Sequence, residues 1–374
     1  MIDRTPDLLL EHAVAAPRSR RALLIDLYDA AVAGAAPGPL TAAALSDVEA
    51  RSEQRLWLYA VGKAAHAMAS AAVALLQRGG HPIAGGAIVA PELLLSPYPA
   101  VNAFAGDHPL PSRNSFAAAQ RIGELTAGMR GDDVAIVLIS GGATSLIGAP
   151  LRGMLDADLV HLFELLLGSG LDIREMNAVR KRFTRWGGGR LALALAPART
   201  HTLIVSDVAG DDPADIASGP CTPDPNTVHD VIDILNRSSL YGRIAPSMRE
   251  YLTSVLRGLV PETPRSTHPA FAHVTTRVIG SNRLATQAAA ARALALALPV
   301  VRSETLLSGD AARCGAELAS ALVERARAGW RGCMIWGGET TVELGDRSDI
   351  AGDLPRGGRC QELALAASRA LASA

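Results

Sequence analysis

The chain has 374 residues, 49% of them hydrophobic and 20% charged, with 36 basic against 37 acidic side chains and a formal net charge of −1. That length exceeds what one core usually serves, so two domains are expected, and the apolar content excludes general disorder. The charge balance argues against a nucleic-acid or membrane-surface partner, and no run approaches the roughly 20 apolar residues of a membrane span, so a cytoplasmic protein is expected.

The first 21 residues lack the basic start and long apolar core of a secretory signal and read as an amphipathic surface helix. Short apolar runs bounded by turn residues then predict buried strands at 56–61, 87–90, 134–139, 202–205, 274–279 and 333–336. Between them, Ala- and Leu-rich patterns predict helices over 63–77, 112–129, 156–169, 282–297 and 310–328. This alternation defines an α/β fold: two layered domains with mostly parallel sheets and a cleft between them. A stretch richer in Pro and polar residues, 241–273, sets the junction, giving domains 1–240 and 241–374. Cys221, Cys314, Cys333 and Cys360 are widely spaced, as free thiols would be, with no paired metal-ligand spacing.

Several strands end in small or functional residues: Gly62-Lys63, Ser140-Gly141-Gly142, Ser206-Asp207, Gly280-Ser281-Asn282 and Gly337-Gly338-Glu339. Ligands in open α/β sheets bind beyond the carboxyl ends of the strands, so these exits predict an enzyme site. Glycines at 141 and 142 let backbone amides approach an anion, with the Ser145 hydroxyl close behind. Lys63 opens a helix, where a cation is unfavourable unless an anion compensates it. The segment is not a Walker loop, because Ala64 replaces the magnesium-binding hydroxyl. Arg180, Lys181, Arg182 and Arg185 form a basic cluster that reads either as a solvated face or as a polyphosphate contact beside Gly187–Gly189. Asp207 is the best placed of several loop carboxylates to take a proton or hold Mg²⁺, whereas Asp215 reads as a cap. Arg359 follows two glycines at a helix start and invites an anion.

Together these stretches, with GDHPLPSRNS at 106–115, resemble the glycerate 2-kinases, in which a DUF4147 domain is joined to a MOFRL domain. The motifs occur in family order across about residues 60–367. The resemblance implies ATP and Mg²⁺, and transfer of a phosphoryl group to the 2-hydroxyl of D-glycerate or a similar small hydroxy acid. By the same resemblance Lys63, Asp207 and Arg359 match catalytic positions. Ser140, Gly141, Gly142, Ser145, Asn177, Arg180, Lys181, Asn282 and Glu339 match the other cleft motifs. A homodimer is compatible with it.

The chain departs from the family pattern at Ala143-Thr144, where a Cβ at 143 could obstruct a positive φ, at Gly187, where a Lys is usual, and at Cys360, where Asn is usual. The stretch 346–356 is long, and the chain stops at Ala374, before a Gly-Thr-Asp-Gly-rich segment that family members carry. These departures keep open a homologue that binds without turning over. A hydroxypyruvate reductase is a third reading, disfavoured because no Gly-x-Gly-x-x-Gly fingerprint follows a strand.

Overall fold

A computed structural model describes residues 19–48, 53–342 and 357–374. The apolar runs assemble into one parallel sheet from β1 (Leu56–Val61), β2 (Ile83–Ala90), β3 (Val101–Ala105), β4 (Val134–Ile139), β5 (Arg199–Val205) and β6 (Val274–Gly280), ordered β3-β2-β1-β4-β5-β6. The helices in chain order are α1 (Arg20–Gly34), α2 (Pro37–Leu45), α3 (Ala65–Arg78), α4 (Arg113–Thr126), the single turn α5 (Ala143–Leu146), α6 (Asp156–Leu167), α7 (Ile173–Phe183), α8 (Arg190–Leu195), α9 (Val228–Arg237), α10 (Pro246–Leu256) and α11 (Asn282–Ala295).

Strands buried on both faces need apolar residues throughout, and period-two alternation divides them between two layers. Leu58 and Ala60 of β1 join Met68, Ala69 and Val73 of α3 on one face. Tyr59 and Val61 join Ala118, Ala119 and Ile122 of α4 on the other. A third core belongs to a helical lobe: Leu162 and Phe163 of α6, Val179 and Phe183 of α7, Val231 and Leu235 of α9, and Leu252 of α10. This lobe holds α7 rigidly, which matters for the site.

After α11 come β7 (Val300–Arg302), β8 (Leu307–Asp310), α12 (Ala311–Arg327), β9 (Cys333–Ile335), β10 (Gly338–Thr341) and α13 (Arg359–Ala372). β7 pairs with β9 and β8 with β10, both parallel, and α12 packs along α13.

The division at residue 240 requires correction. β6 completes the first sheet by pairing with β5, so the chain leaves that sheet only after Gly280. The stretch 241–273 instead carries α10 of the helical lobe and then the connection that leads into β6. The expected helix near the N-terminus lies largely outside the described residues, as does the whole stretch 346–356. All four cysteines are free thiols, with Cys221 and Cys314 buried. Among the described residues no helix is long and apolar enough to cross a membrane.

Candidate active site

Strand register brings the site together. Val61 lies opposite Ile139, and Ile139 opposite Ile204, so β1, β4 and β5 end almost level. From β1 the chain first builds outward to β2 and β3, then returns to add β4, β5 and β6 on the other side. Such a reversal leaves a crevice between the two central strands, beyond their carboxyl ends. Lys63, Gly141 and Asp207 all emerge there. The Lys63 amide donates to the Gly141 carbonyl at 2.9 Å, and the Ala64 amide to Ser140 Oγ at 3.0 Å. The buried Ser140 hydroxyl therefore ties two strand exits together rather than reaching outward.

Gly142 turns the chain with φ 83°, a left-handed conformation that favours glycine, and launches α5. The positive φ falls on Gly142, not on Ala143, which is helical and buried in the sheet core, so the Cβ at 143 causes no obstruction. Around this turn the amides of Gly141, Gly142, Ala143 and Thr144 donate to no protein acceptor among the described residues. Successive free amides at a bend make an anion-binding concavity.

Asp207 presses its carboxylate against the bare Cα of Gly141, where any side chain would collide with it. On the other side of the loop, Gly142 is covered by the His108 ring and by Lys63 Cε, 3.0 and 3.4 Å from where a Cβ would stand. Protein crowding, reinforced by repulsion from Glu339, raises the Asp207 carboxyl above its ordinary range, against the pull of Lys63 and His108. His108 is held below the usual imidazole range by burial, then by Lys63 and Arg180, with Asp207 opposing. Lys63, His108, Asp207, Glu339 and Arg180 thus share one electrostatic environment. Sequence reasoning missed His108 as a site residue, although its motif was among those matched. Asp107 fixes its loop, accepting hydrogen bonds from Ser112 Oγ at 2.5 Å and the Asn114 amide at 3.2 Å.

The other expected contacts divide. Arg180 is buried at 8% exposure and lies over the Phe163 ring, its Cζ 4.8 Å from the centroid. Burial pushes its guanidinium down to about 10, and its Nε has no acceptor among the described residues. Lys181 is a correction: it is buried within the protein, with Nζ donating to the Ala214 carbonyl at 2.9 Å and standing 3.7 Å from Asp224. Arg182 is buried against Asp224, Glu262 and the Asn226 carbonyl, so the basic cluster is neither a solvated face nor a shared phosphate contact. Asn177 braces the loop after β5, donating to the Asp215 carbonyl at 2.8 Å and accepting from Ser218 Oγ at 3.4 Å. Ser145 donates to the Pro109 carbonyl at 2.6 Å and so anchors the His108 loop. Asp215 caps no helix with its side chain; it pairs with Arg174 at 3.4 Å. At Gly187 a Cβ would stand 2.9 Å from Lys181 Cα, so glycine there is required by space.

The last expected residues come from beyond the first sheet. Asn282 opens α11 with its side-chain oxygen against Gly337. Arg359 Nη1 is 2.7 Å from Glu339 Oε1 and also donates to the Thr340 carbonyl at 3.3 Å. Arg359 therefore joins the site through Glu339.

An open parallel sheet with free amides, a lysine and a carboxylate at its reversal point defines an α/β protein with a crevice of the kind in which such sheets bind ligands. The family described as a domain of unknown function, DUF4147, matches residues 23–253. The human glycerate kinase is 32% identical across 91% of this chain and 74% of its own length. A Pyrococcus horikoshii glycerate 2-kinase is 35% identical across 70% of the chain and 58% of its own length. An Agrobacterium vitis protein carrying a hydroxypyruvate reductase name is 34% identical across 95% and 77%. The crystal structure of a glycerate kinase from Thermotoga maritima superposes with a TM-score of 0.80 at 30% identity, covering 95% of this chain and 81% of that one. The chain belongs to the DUF4147 family, together with these glycerate kinases.

Proposed function

We propose that this protein is an ATP-dependent kinase that phosphorylates the 2-hydroxyl of D-glycerate or a closely similar hydroxy acid. The observation that carries the reading is the convergence of Lys63, the unbonded amides of residues 141–144 and Asp207 at one sheet reversal. Phosphoryl transfer asks for positioning and charge neutralisation more than for covalent help. The loop amides and Lys63 grip nucleotide phosphate oxygens. Asp207 accepts the proton of the attacking hydroxyl, and its raised affinity for protons suits that task. The hydroxyl oxygen bonds to the γ-phosphorus as the bond to ADP breaks, and the proton stays on Asp207 until product leaves. Arg359, tied to Glu339, brings positive charge from the second sheet layer.

Among the described residues no group of three or more His, Cys, Asp or Glu side chains could hold a metal. Mg²⁺ needs less: it keeps several waters and takes one or two carboxylates plus substrate phosphates. With Asp207 reserved for the proton, the nearby Glu339 is the carboxylate that would hold it, and the ion would supply charge neutralisation on the phosphates. A reductase reading is disfavoured at the first strand exit, where Lys63 stands in a turn that dinucleotide folds keep glycine-rich. Release of ADP from Mg-ATP on adding D-glycerate, followed by a coupled assay, tests the proposal. NADH oxidation with hydroxypyruvate, without ADP release, would replace it by the reductase.

A further inference from the structure

Arg180 is a buried cation without a counter-ion. At 8% exposure it forms no ion pair or side-chain hydrogen bond among the described residues, and its Nε is sealed from solvent without an acceptor. The Phe163 ring lies against it. Elsewhere on α7 the buried cations have counter-ions: Lys181 and Arg182 share Asp224, and Arg182 adds Glu262, although Arg182 Nε also lacks an acceptor. A protein able to pair two neighbouring cations leaves the third unpaired only at a cost, because removing a charge from water without compensation is unfavourable. Unsatisfied buried groups in native proteins ask for an explanation, and a missing ligand is one.

The position suggests which ligand. Arg180 is close enough to His108 to act on it electrostatically, as are Lys63 and Asp207. The loop amides lie beside Lys63, whose Cε crowds Gly142 together with the His108 ring. On the kinase reading, with the acceptor's hydroxyl at Asp207, its other end lies toward His108 and Arg180. A guanidinium presents a planar fork that matches a carboxylate with two parallel hydrogen bonds. Phe163 fixes the plane of that fork in advance, which lowers the ordering cost of binding.

We infer that Arg180 is the anchor for the carboxylate of the acceptor acid, with His108 beside it. The inference rests on the kinase reading for the identity of the acid. It also makes a claim of its own: the pocket selects small hydroxy carboxylates over uncharged polyols of the same size.

The test compares the wild type with Arg180→Met, which keeps the stem and the contact with Phe163, and with Arg180→Lys, which keeps the charge but not the fork. Titration calorimetry measures D-glycerate, glycerol and ATP separately, and thermal unfolding measures the unliganded proteins. We expect Arg180→Met to weaken D-glycerate binding about 100-fold while ATP affinity stays within threefold. We expect Arg180→Lys to recover part of the loss, and glycerol to bind weakly to all three proteins alike. Without its unpaired charge the Met variant should unfold at a temperature at least roughly 2 °C higher. Unchanged D-glycerate affinity, equal loss of ATP and D-glycerate, or a lowered unfolding temperature would each overturn the inference. If D-glycerate binds through Arg180 and no ADP is released, the kinase reading fails and the anchor stands. If ADP is released and Arg180→Met keeps the wild-type KM for D-glycerate, the anchor fails and the kinase stands.

Discussion

Helix α7 carries two kinds of buried cation on one turn. Arg182 and Lys181, at 0% and 1% exposure, are enclosed by Asp224, Glu262 and backbone carbonyls. Arg180, hardly more exposed at 8%, meets an aromatic ring and nothing charged. One position along a helix turns the side chain by about 100°, which takes Arg180 off the face that meets the Asp224 loop. Completed pairs hold the lobe together, and the uncompleted one waits for a ligand. The same contrast distinguishes the loop amides after β4, which have no acceptors, from Ser140, Ser145 and Asn177, which have theirs.

The largest expected effect falls on the reaction. Asp207→Asn should lower kcat by about 10²–10⁴-fold. It should not lower stability. The folded carboxyl has a raised pKa, so its contribution to stability is present below the unfolded pKa and is lost as pH rises through the folded value; at neutral pH its removal is neutral or favourable. Steady-state kinetics with a thermal scan of the same sample check both halves, and a large loss of stability would class Asp207 with the structural carboxylates.

Asp224→Ala should do the opposite. It strands Lys181 and Arg182 in the interior and deprives Thr263 and Asn226 of their acceptor. Losing one partner of a buried charge network costs about 3–5 kcal/mol, to be read from denaturant unfolding, with activity retained in the fraction that stays folded. A variant as stable as the wild type would dissolve the division drawn on α7.

The smallest effect concerns pH. The acidic limb of kcat should lie above the ordinary carboxylate range because Asp207 must be ionised to accept a proton. Glu339 contributes to that elevation by repulsion, so Glu339→Gln should move the limb to lower pH. A limb that stays in place would remove Glu339 from the electrostatics of Asp207.

Much of this arrangement was legible in the residues. The runs 56–61 and 134–139 match β1 and β4 at both ends, because fully buried parallel strands need uninterrupted apolar side chains. Their exits carried Lys63 and Gly141 directly into the crevice, and the exit of β5 carried Asp207. β3 escaped notice because it is a short edge strand whose Asn102 and Ala103 show little pattern. The short strands β7, β8 and β10 were equally hidden. β6 was identified as a strand but assigned to the wrong side of the domain junction, since pairing with β5 is a long-range event that local composition does not report. The fate of the basic cluster was not legible because Asp224 and Glu262 lie far along the chain. Helical periodicity could nonetheless have separated Arg180 from its neighbours. His108 had only its motif as a signal, and its role depends on the loop that Asp107 and Ser145 fix.

Phosphorus NMR of the protein with Mg-ATP and D-glycerate tests the central claim most directly. The account predicts loss of the ATP γ resonance with the appearance of ADP and one phosphomonoester signal coupled to the proton at C2. ATP left intact while D-glycerate is bound, or converted only to ADP and inorganic phosphate, would contradict it.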